Sequence, residues 1–344
     1  MLAPTRFATA FAFRAGKHRA TMKRRTLLAA AATLAVTPVI ASRAQTQAWP
    51  SRPIRIIVPF APGGSTDILA RYLAQRLQDT IKTSFVVENR PGAGGTVGAD
   101  AAAKAAPDGY TLFMSNNASI SLGPQINSVT YKPVEDFAHL VLLGLFPNLF
   151  IVRADHPAKT FQEFIALARA KPGVLNYSSA GVGSAGFLSG ELLKQRAGID
   201  MVHIPYKGTG PAVADMIAGQ LDAVLDGPIA AGPYLRSGRA RALAVAGSER
   251  LRAWPNVPTM DEIVPGTGGD AWFGISTQAG VPRDILDHLQ TALTKVITQP
   301  EVQARLGELG LNPRFMQRAE YTAFIQNEIR TWGPVIRAAG VKGN

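Results

Sequence analysis

Apolar runs alternate with amphipathic stretches along the chain, and the alternation predicts strands and helices in turn. Residues 54–58, Ile-Arg-Ile-Ile-Val, form a continuous apolar run broken only by Arg55, which predicts a strand. From Asp67 to Leu77, the residues Ile68, Leu69, Tyr72, Leu73 and Leu77 recur at helical spacing and predict a helix. Residues 84–88 read as a second strand. A glycine turn at residues 89–95 then leads into an alanine-rich helix ending near Ala106. After the turn Pro107-Asp108-Gly109, residues 110–114 read as a third strand. This βαβαβ order argues for a parallel sheet with helices on its faces.

The middle repeats the theme. Residues 140–152 read as a strand broken at Pro147. Thr160 and Glu163 form a capping box ahead of Phe161, Phe164, Ile165 and Ala168. Residues 175–177, 201–205, 221–225 and 241–246 read as strands. Helices are expected from about Ser184 to Arg196 and near residues 211–218. The tail reads as mostly helical, with a helix start at Pro282. Ile285, Leu286, Leu289, Leu293, Val296 and Ile297 keep the helical period, and Phe324, Ile325, Ile329, Trp332 and Ile336 do so again before Gly340. Two βαβ groups predict an α/β protein of two lobes, residues 45–147 plus 247–344 and residues 148–246, with a parallel-rich sheet in each. Ligands of open α/β sheets bind outside the carboxyl ends of the strands, so two facing lobes would make a cleft. A ligand touching both sides would favour the closed form.

Composition narrows the chemistry. With 344 residues and 47% hydrophobic content, the chain is long enough for a large core and two lobes. It has no cysteine, which excludes disulfides, thiolate nucleophiles and cysteine-based metal sites. Its five histidines are scattered singly, so no zinc site, and no other metal or cofactor, is expected. The net charge of +12 is concentrated at the start. Residues 1–44 hold eight of the 36 basic residues and no acidic ones, leaving 28 basic against 24 acidic side chains, a net of +4, in the remainder. Nucleic-acid binding is therefore not expected.

Those first 44 residues read as a leader. Met22-Lys23-Arg24-Arg25 is a charged start, residues 27–40 are a short apolar core, and Ser42-Arg43-Ala44 predicts cleavage after Ala44. The apolar core is too short to span a membrane, which takes roughly 20 residues. Met22 reads as the true start, with residues 1–21 an over-long gene assignment. Arg24-Arg25 before Thr-Leu-Leu fits a twin-arginine signal only loosely, and an ordinary secretion signal with two adjacent basic residues is the preferred reading. Either route predicts an exported, soluble mature protein.

Two strand-to-helix turns are candidates for chemistry. In the first, Pro59 to Asp67, free helix N–H groups and the helix dipole favour an anion. Phe60, Gly64, Ser65, Thr66 and Asp67 would surround a carboxylate there. The same residues also read as a plain turn, with Thr66 as cap and Asp67 complementing the dipole. The second turn, Ser178 to Gly186, contains Gly181-x-Gly183-x-x-Gly186, the nominal dinucleotide fingerprint. Its confirming acidic residue should end the following strand, but Asp200 precedes that strand. The simpler reading is a second anion-receiving helix start, with Ser178, Ser179 and Ser184 supplying hydroxyls and Gly181 and Gly183 allowing close approach. Residue 182 is valine, so Ser184 does not sit in a G-x-S-x-G nucleophile elbow.

Other strand ends have both a binding and a structural reading. Tyr206 reads as a ligand hydrogen-bonder or a core-edge aromatic, and Lys207 as a carboxylate partner or a solvated lysine. Asp226 reads as an acceptor for a ligand ammonium or hydroxyl, or as a helix cap. Arg90, in the turn at residues 89–95, reads as an anion attractor or a surface residue. His203 alternates with Val202 and Ile204 and reads as structural.

Several segments in this order resemble one family. They are Trp49-Pro50-Ser51-Arg52-Pro53-Ile54-Arg55, Val58-Pro59-Phe60-Ala61-Pro62-Gly63-Gly64-Ser65-Thr66-Asp67, Val87-Glu88-Asn89-Arg90-Pro91-Gly92-Ala93-Gly94-Gly95 and Pro107-Asp108-Gly109-Tyr110-Thr111-Leu112, then Tyr177 to Ser184, Pro205-Tyr206-Lys207-Gly208 and Pro255-Asn256-Val257-Pro258-Thr259. Together they resemble the extracytoplasmic solute receptors of tripartite tricarboxylate transporters, the Bug receptors, over roughly Trp49 to Gly340. The resemblance implies a two-lobe, Venus-flytrap periplasmic binding protein of type II. It implies a small carboxylate-bearing ligand; the expected ligand is a small organic anion, with amino acids and aromatic acids among the candidates, and a non-enzymatic monomer is expected, since no histidine–carboxylate–nucleophile set can be read from the sequence. The resemblance also implies a membrane permease as partner. Family ligands are held largely by backbone amides and waters from the loops matching Phe60–Asp67 and Ser178–Ser184. One departure is Phe187, at a position where the family often has histidine. The rival readings are a nucleotide-dependent enzyme built on Gly181-x-Gly183-x-x-Gly186 and a receptor that serves a signalling system.

Overall fold

The first apolar run forms β1 (Ile54–Val58), which leads through the glycine turn into α1 (Ser65–Ile81). The computed structural model describes residues 49–247 and 249–341, so the leader and its cleavage after Ala44 lie outside the described residues. Leu69, Leu73, Leu77 and Ile81 face the sheet from α1, as the helical period predicts, and Lys82 closes the helix in a left-handed C-cap. β2 (Phe85–Asn89), α2 (Thr96–Ala103) and β3 (Thr111–Asn116) complete the first βαβαβ unit, with β2, β1 and β3 parallel. A π-helical turn at Ala118–Leu122 and the short α3 (Gly123–Ile126) follow.

The next strand corrects the sequence reading. β4 (Phe137–Arg153) runs unbroken through Pro147 for 17 residues. Proline lacks an N–H and costs a ladder bond in a strand interior. Pro147 lies where β4 exchanges one set of partners for another, so the missing bond falls at the seam.

The second unit is α4 (Phe161–Ala170), β5 (Asn176–Ser179), α5 (Ala185–Ala197), β6 (Val202–Pro205), α6 (Thr209–Ile217), β7 (Ala223–Asp226), α7 (Pro228–Arg236) and β8 (Ala240–Ala246). The Thr160 hydroxyl caps α4 by accepting from the Glu163 N–H, while the Glu163 carboxylate takes the N–H of Lys159, one residue earlier than a standard box. The tail is less helical than its pattern predicts. It begins with β9 (Asp270–Gln278), continues through α8 (Arg283–Ile297) and α9 (Pro300–Glu308), and adds β10 (Asn312–Gln317) before α10 (Arg318–Ala338). Helix α7 and both tail strands escape the periodicity reading. β9 is buried on both faces, so it shows no alternation of apolar and polar residues.

The strands form one curled mixed sheet in the order β2-β1-β3-β9-β4-β7-β5-β6, with β8 and β10 joining through β4. Residues 137–147 of β4 pair antiparallel with β9, and residues 148–153 pair with β7 and β8. A parallel trio therefore lies at each end, β2-β1-β3 and β6-β5-β7. One core packs α1 and α8 on β1 and β3. Another packs Phe150 against Phe161 and Phe164, with ring centroids 5.2 and 4.7 Å apart. His139 is structural: its ring nitrogens bond Ser276 Oγ and the Pro133 carbonyl, and burial lowers its pKa to about 4.

Helix α5 lies close on β5 because Gly190 has no side chain. A Cβ there would fall 2.2 Å from the ring of the fully buried Tyr177. Alanine normally favours a helix over glycine by ~1 kcal/mol. Here overpacking should reverse that sign, and Gly190→Ala is expected to destabilise by about 1–3 kcal/mol, read as a lower urea midpoint with unchanged slope.

Candidate functional site

The starts of α1, α5 and α6, the ends of β3 and β7, the middle of β4 and the first part of β9 meet at a cavity of about 50 Å³. Gly64, Ser65 and Thr66 open α1; Ser184, Ala185 and Gly186 open α5; Thr209 opens α6. Helix α7 begins just after Asp226, which ends β7 and lines the cavity. α1 and α6 each follow a glycine and have no side-chain cap, so their first amides are not taken up that way; α7 also follows a glycine but starts on Pro228, which has no N–H. At α5, Ser184 accepts from the Phe187 N–H at 3.2 Å. Each start adds partial positive charge to the same small volume. Among the described residues, no lysine, arginine or histidine lines the cavity. Its pull on an anion comes from the main chain.

The remaining walls are aromatic and amide. Phe146 and Phe273 stack with centroids 4.4 Å apart, and Phe60 joins them. Asn116, Asn117 and Asn148 supply polar edges. Asn148 is 5% exposed, and its Nδ2 has no hydrogen-bond partner within the protein. Sequence reasoning missed Asn116, Asn117, Phe146, Asn148, Thr209 and Phe273. Of these only Thr209 carried a signal, since Gly208-Thr209 repeats the glycine–hydroxyl start seen at Gly64-Ser65. The others sit in segments distant in sequence.

Asp226 is 4% exposed. Burial raises its pKa to about 7, against partial relief from the Thr209 hydroxyl, the Gly227 amide and the Ser65 hydroxyl. Ser65 Oγ lies 3.4 Å from one carboxylate oxygen and accepts from the Ala230 N–H at 3.3 Å.

Six sequence candidates thus line the cavity: Phe60, Gly64, Ser65, Thr66, Ser184 and Asp226. The other six do not line it. The Asp67 carboxylate turns away to accept from the Gly63 N–H, Arg71 and Asn89 at 2.9–3.1 Å. Burial works to raise its pKa, but these bonds hold it below the ordinary value. Ser178 is buried. Ser179 Oγ meets His203 Nε2 at 2.9 Å and takes the Gly181 N–H. Burial lowers the His203 pKa to about 4, and the ring of Phe187 packs on it at 4.7 Å. Tyr206 donates to Asp215. Arg90 pairs with Glu88 instead of facing the cavity, and the Lys207 carbonyl accepts the Ala61 N–H at 2.8 Å.

Gly181 and Gly183 have left-handed backbone, with φ of +125° and +91°. A Cβ on Gly181 would lie 3.4 Å from Gly94, and one on Gly94 would lie 2.0 Å from the Val182 carbonyl oxygen. The loop after β1 meets the start of α6 in the same way: a Cβ on Gly210 would lie 2.7 Å from the Pro62 carbonyl oxygen and 2.9 Å from Gly64 N. The glycines of the Gly181–Gly186 turn thus serve close backbone packing on Gly94 and on β7, and the dinucleotide reading is not favoured. Among the described residues, no cluster of histidine, aspartate or glutamate is arranged to hold a metal, and no helix is long and apolar enough to cross a membrane.

A curled mixed sheet with facing helix starts at the strand ends is the fold of the α/β periplasmic binding proteins. Within that class, the chain belongs to the tripartite tricarboxylate transporter family receptors, whose model matches residues 69–341. It is 36% identical over 322 residues to protein BugT of Bordetella pertussis, covering 92% of this chain and 98% of that one. An R. palustris protein solved with adipate superposes with a TM-score of 0.81 at 32% identity, covering 86% of this chain and 99% of that one. MatC from Rhodopseudomonas palustris, solved with malate, gives 0.79 at 35% identity, covering 84% and 100%.

The raised pKa of Asp226 sets a sign. Its folded value of about 7 lies above the ordinary 3.8, so the fold prefers the neutral acid. The resulting stability is fully present below pH about 4 and is lost as pH rises through about 7. Asp226→Asn is expected to raise the melting temperature at pH 8, to change it little at pH 4, and so to flatten its pH dependence. Parallel pH profiles for the two proteins would contradict this.

Proposed function

We propose that this protein is an exported receptor that captures a small carboxylate-bearing ligand in the cavity and presents it to the membrane permease of a tripartite transporter. The convergence of the α1, α5 and α6 starts on a cavity without basic side chains carries the proposal. Main-chain amides at Gly64–Thr66 and at Ser184–Gly186 take carboxylate oxygens, as helix termini take anions generally. Adipate and malate, bound in the two R. palustris proteins, have this chemistry. The stacked Phe146 and Phe273 with Phe60 give the apolar middle of the ligand a surface, which suits amino acids and aromatic acids as well. The leader directs export to the periplasm, with cleavage after Ala44, and the receptor works as a monomer by binding and release without a chemical step.

Residues 45–147 with 247–344 form one lobe and residues 148–246 the other, joined through β4 near Pro147. Opening admits the ligand. In the closed form, Gly63 and Gly64 meet Thr209 and Gly210, and Gly94 meets Val182 and Gly183. Ligand contacts on both lobes favour this form.

Two measurements test the reading. A thermal-shift screen of the mature protein against organic acids, amino acids and aromatic acids should give at least one clear rise in melting temperature by mass action. A broad carboxylate library without any shift would overturn it. The closure contact is tested by Gly210→Ala. Gly210 has ordinary helical φ, so alanine should favour α6 by ~1 kcal/mol on propensity alone. Ligand affinity is nevertheless expected to fall by about tenfold or more, because the new methyl keeps the Pro62–Gly64 backbone from docking. Undiminished affinity would show that this contact is not part of the bound form.

A further inference from the structure

We propose that Asp226 is the specificity-determining residue of this cavity, selecting ligands that carry an ammonium group beside the carboxylate, with Asn148 Nδ2 donating to a ligand oxygen. This rests on the carboxylate-receptor reading and adds which carboxylates are taken.

Among the described residues lining the cavity, Asp226 is the one ionisable side chain. A site that holds anions by main-chain amides has no use for a buried carboxylate, which repels a second negative charge at short range. Buried charges are normally paired, and this one has no cation at hand. Its neighbours are the Ser65 and Thr209 hydroxyls and the Gly227 amide, from α1, α6 and the turn into α7. The Ser65 contacts, at 3.4 and 3.5 Å, are at the long limit for a hydroxyl donor. A carboxylate has about four lone-pair sites, so acceptor capacity remains for a ligand. An ammonium group supplies both the missing charge and three donors. A ligand hydroxyl supplies a donor only.

Asn148 provides a second and independent observation. A buried amide donor left unpaired is costly, and this one lines the same cavity. A cavity with an acceptor pole at Asp226, a donor at Asn148 and helix starts around both complements a group in which an ammonium and a carboxylate share one carbon. The proposed ligand class is therefore the α-amino acids, in preference to the parent acids without the amino group.

Isothermal titration calorimetry at pH 8 on the mature chain tests this with matched pairs: succinate and L-aspartate, glutarate and L-glutamate, 3-phenylpropionate and L-phenylalanine. For the skeleton that fits, the amino member should bind at least about tenfold tighter, and Asp226→Asn should remove that advantage, so that the two members of the pair bind alike. Asn148→Ala should weaken both members of the pair, since the oxygen it serves is common to them. Circular dichroism and melting curves establish that both variants are folded. A parent acid that binds as tightly as its amino acid overturns the proposal. Equal losses for both members in Asp226→Asn also overturn it, by marking the residue as structural. If other carboxylates bind and no amino acid does, this inference falls and the receptor reading stands. If no carboxylate of any kind binds, both fall.

Discussion

One strand holds the molecule together. β4 carries hydrogen bonds to β9 and β10 through its first part and to β7 and β8 through its second. The positions of the helix starts follow from this sharing, because α1 and α5 to α7 hang from strands that are one or a few ladder steps from β4. Pro147 lies at the change of partners, opposite Asp270 at the start of β9, with Gly247 passing so near that a Cβ on it would fall 2.4 Å from the proline ring. A side chain in place of Gly247 would push the returning strand off that seam.

The cavity draws its electrostatics from this arrangement and its tightness from glycine. Helix starts that carry side-chain caps spend their amides internally; α1 and α6 follow a glycine and have no such cap, while α7 gives its Ala230 N–H to Ser65 Oγ. The same glycines let backbone lie on backbone, as at Gly94 against Val182 and Gly210 against Pro62. Asp67 shows the division of labour. It lies at the first turn of α1 but braces the loop through Gly63, Arg71 and Asn89, while Ser65 and Thr66 line the cavity.

Most of the fold could be read from apolar spacing, because strands and helices with one buried face leave a period in the sequence. The first unit, the capping of α4 and the start of α5 at Ser184 were legible in this way. β9 was not, since a strand buried on both faces has no alternation to detect. Pro147 misled because proline usually ends a strand, and only the pairing of β4 on both sides explains its tolerance. At the site, residues next to glycine turns were legible. Phe146, Asn148 and Phe273 were not, since they become neighbours through the register of β4 and β9, a long-range pairing that no local motif encodes.

The proposed main-chain grip on the anion has a consequence for how such receptors diversify. Amides at helix starts are supplied by whatever residue occupies the position, so a mutation cannot easily delete them. The other groups lining the cavity, Phe60, Phe146, Asn148, Asp226 and Phe273, are side chains and can change one at a time. Grip and selectivity are thus under separate genetic control, and a lineage can exchange one cargo for another through a few substitutions while its hold on the carboxylate stays inherited.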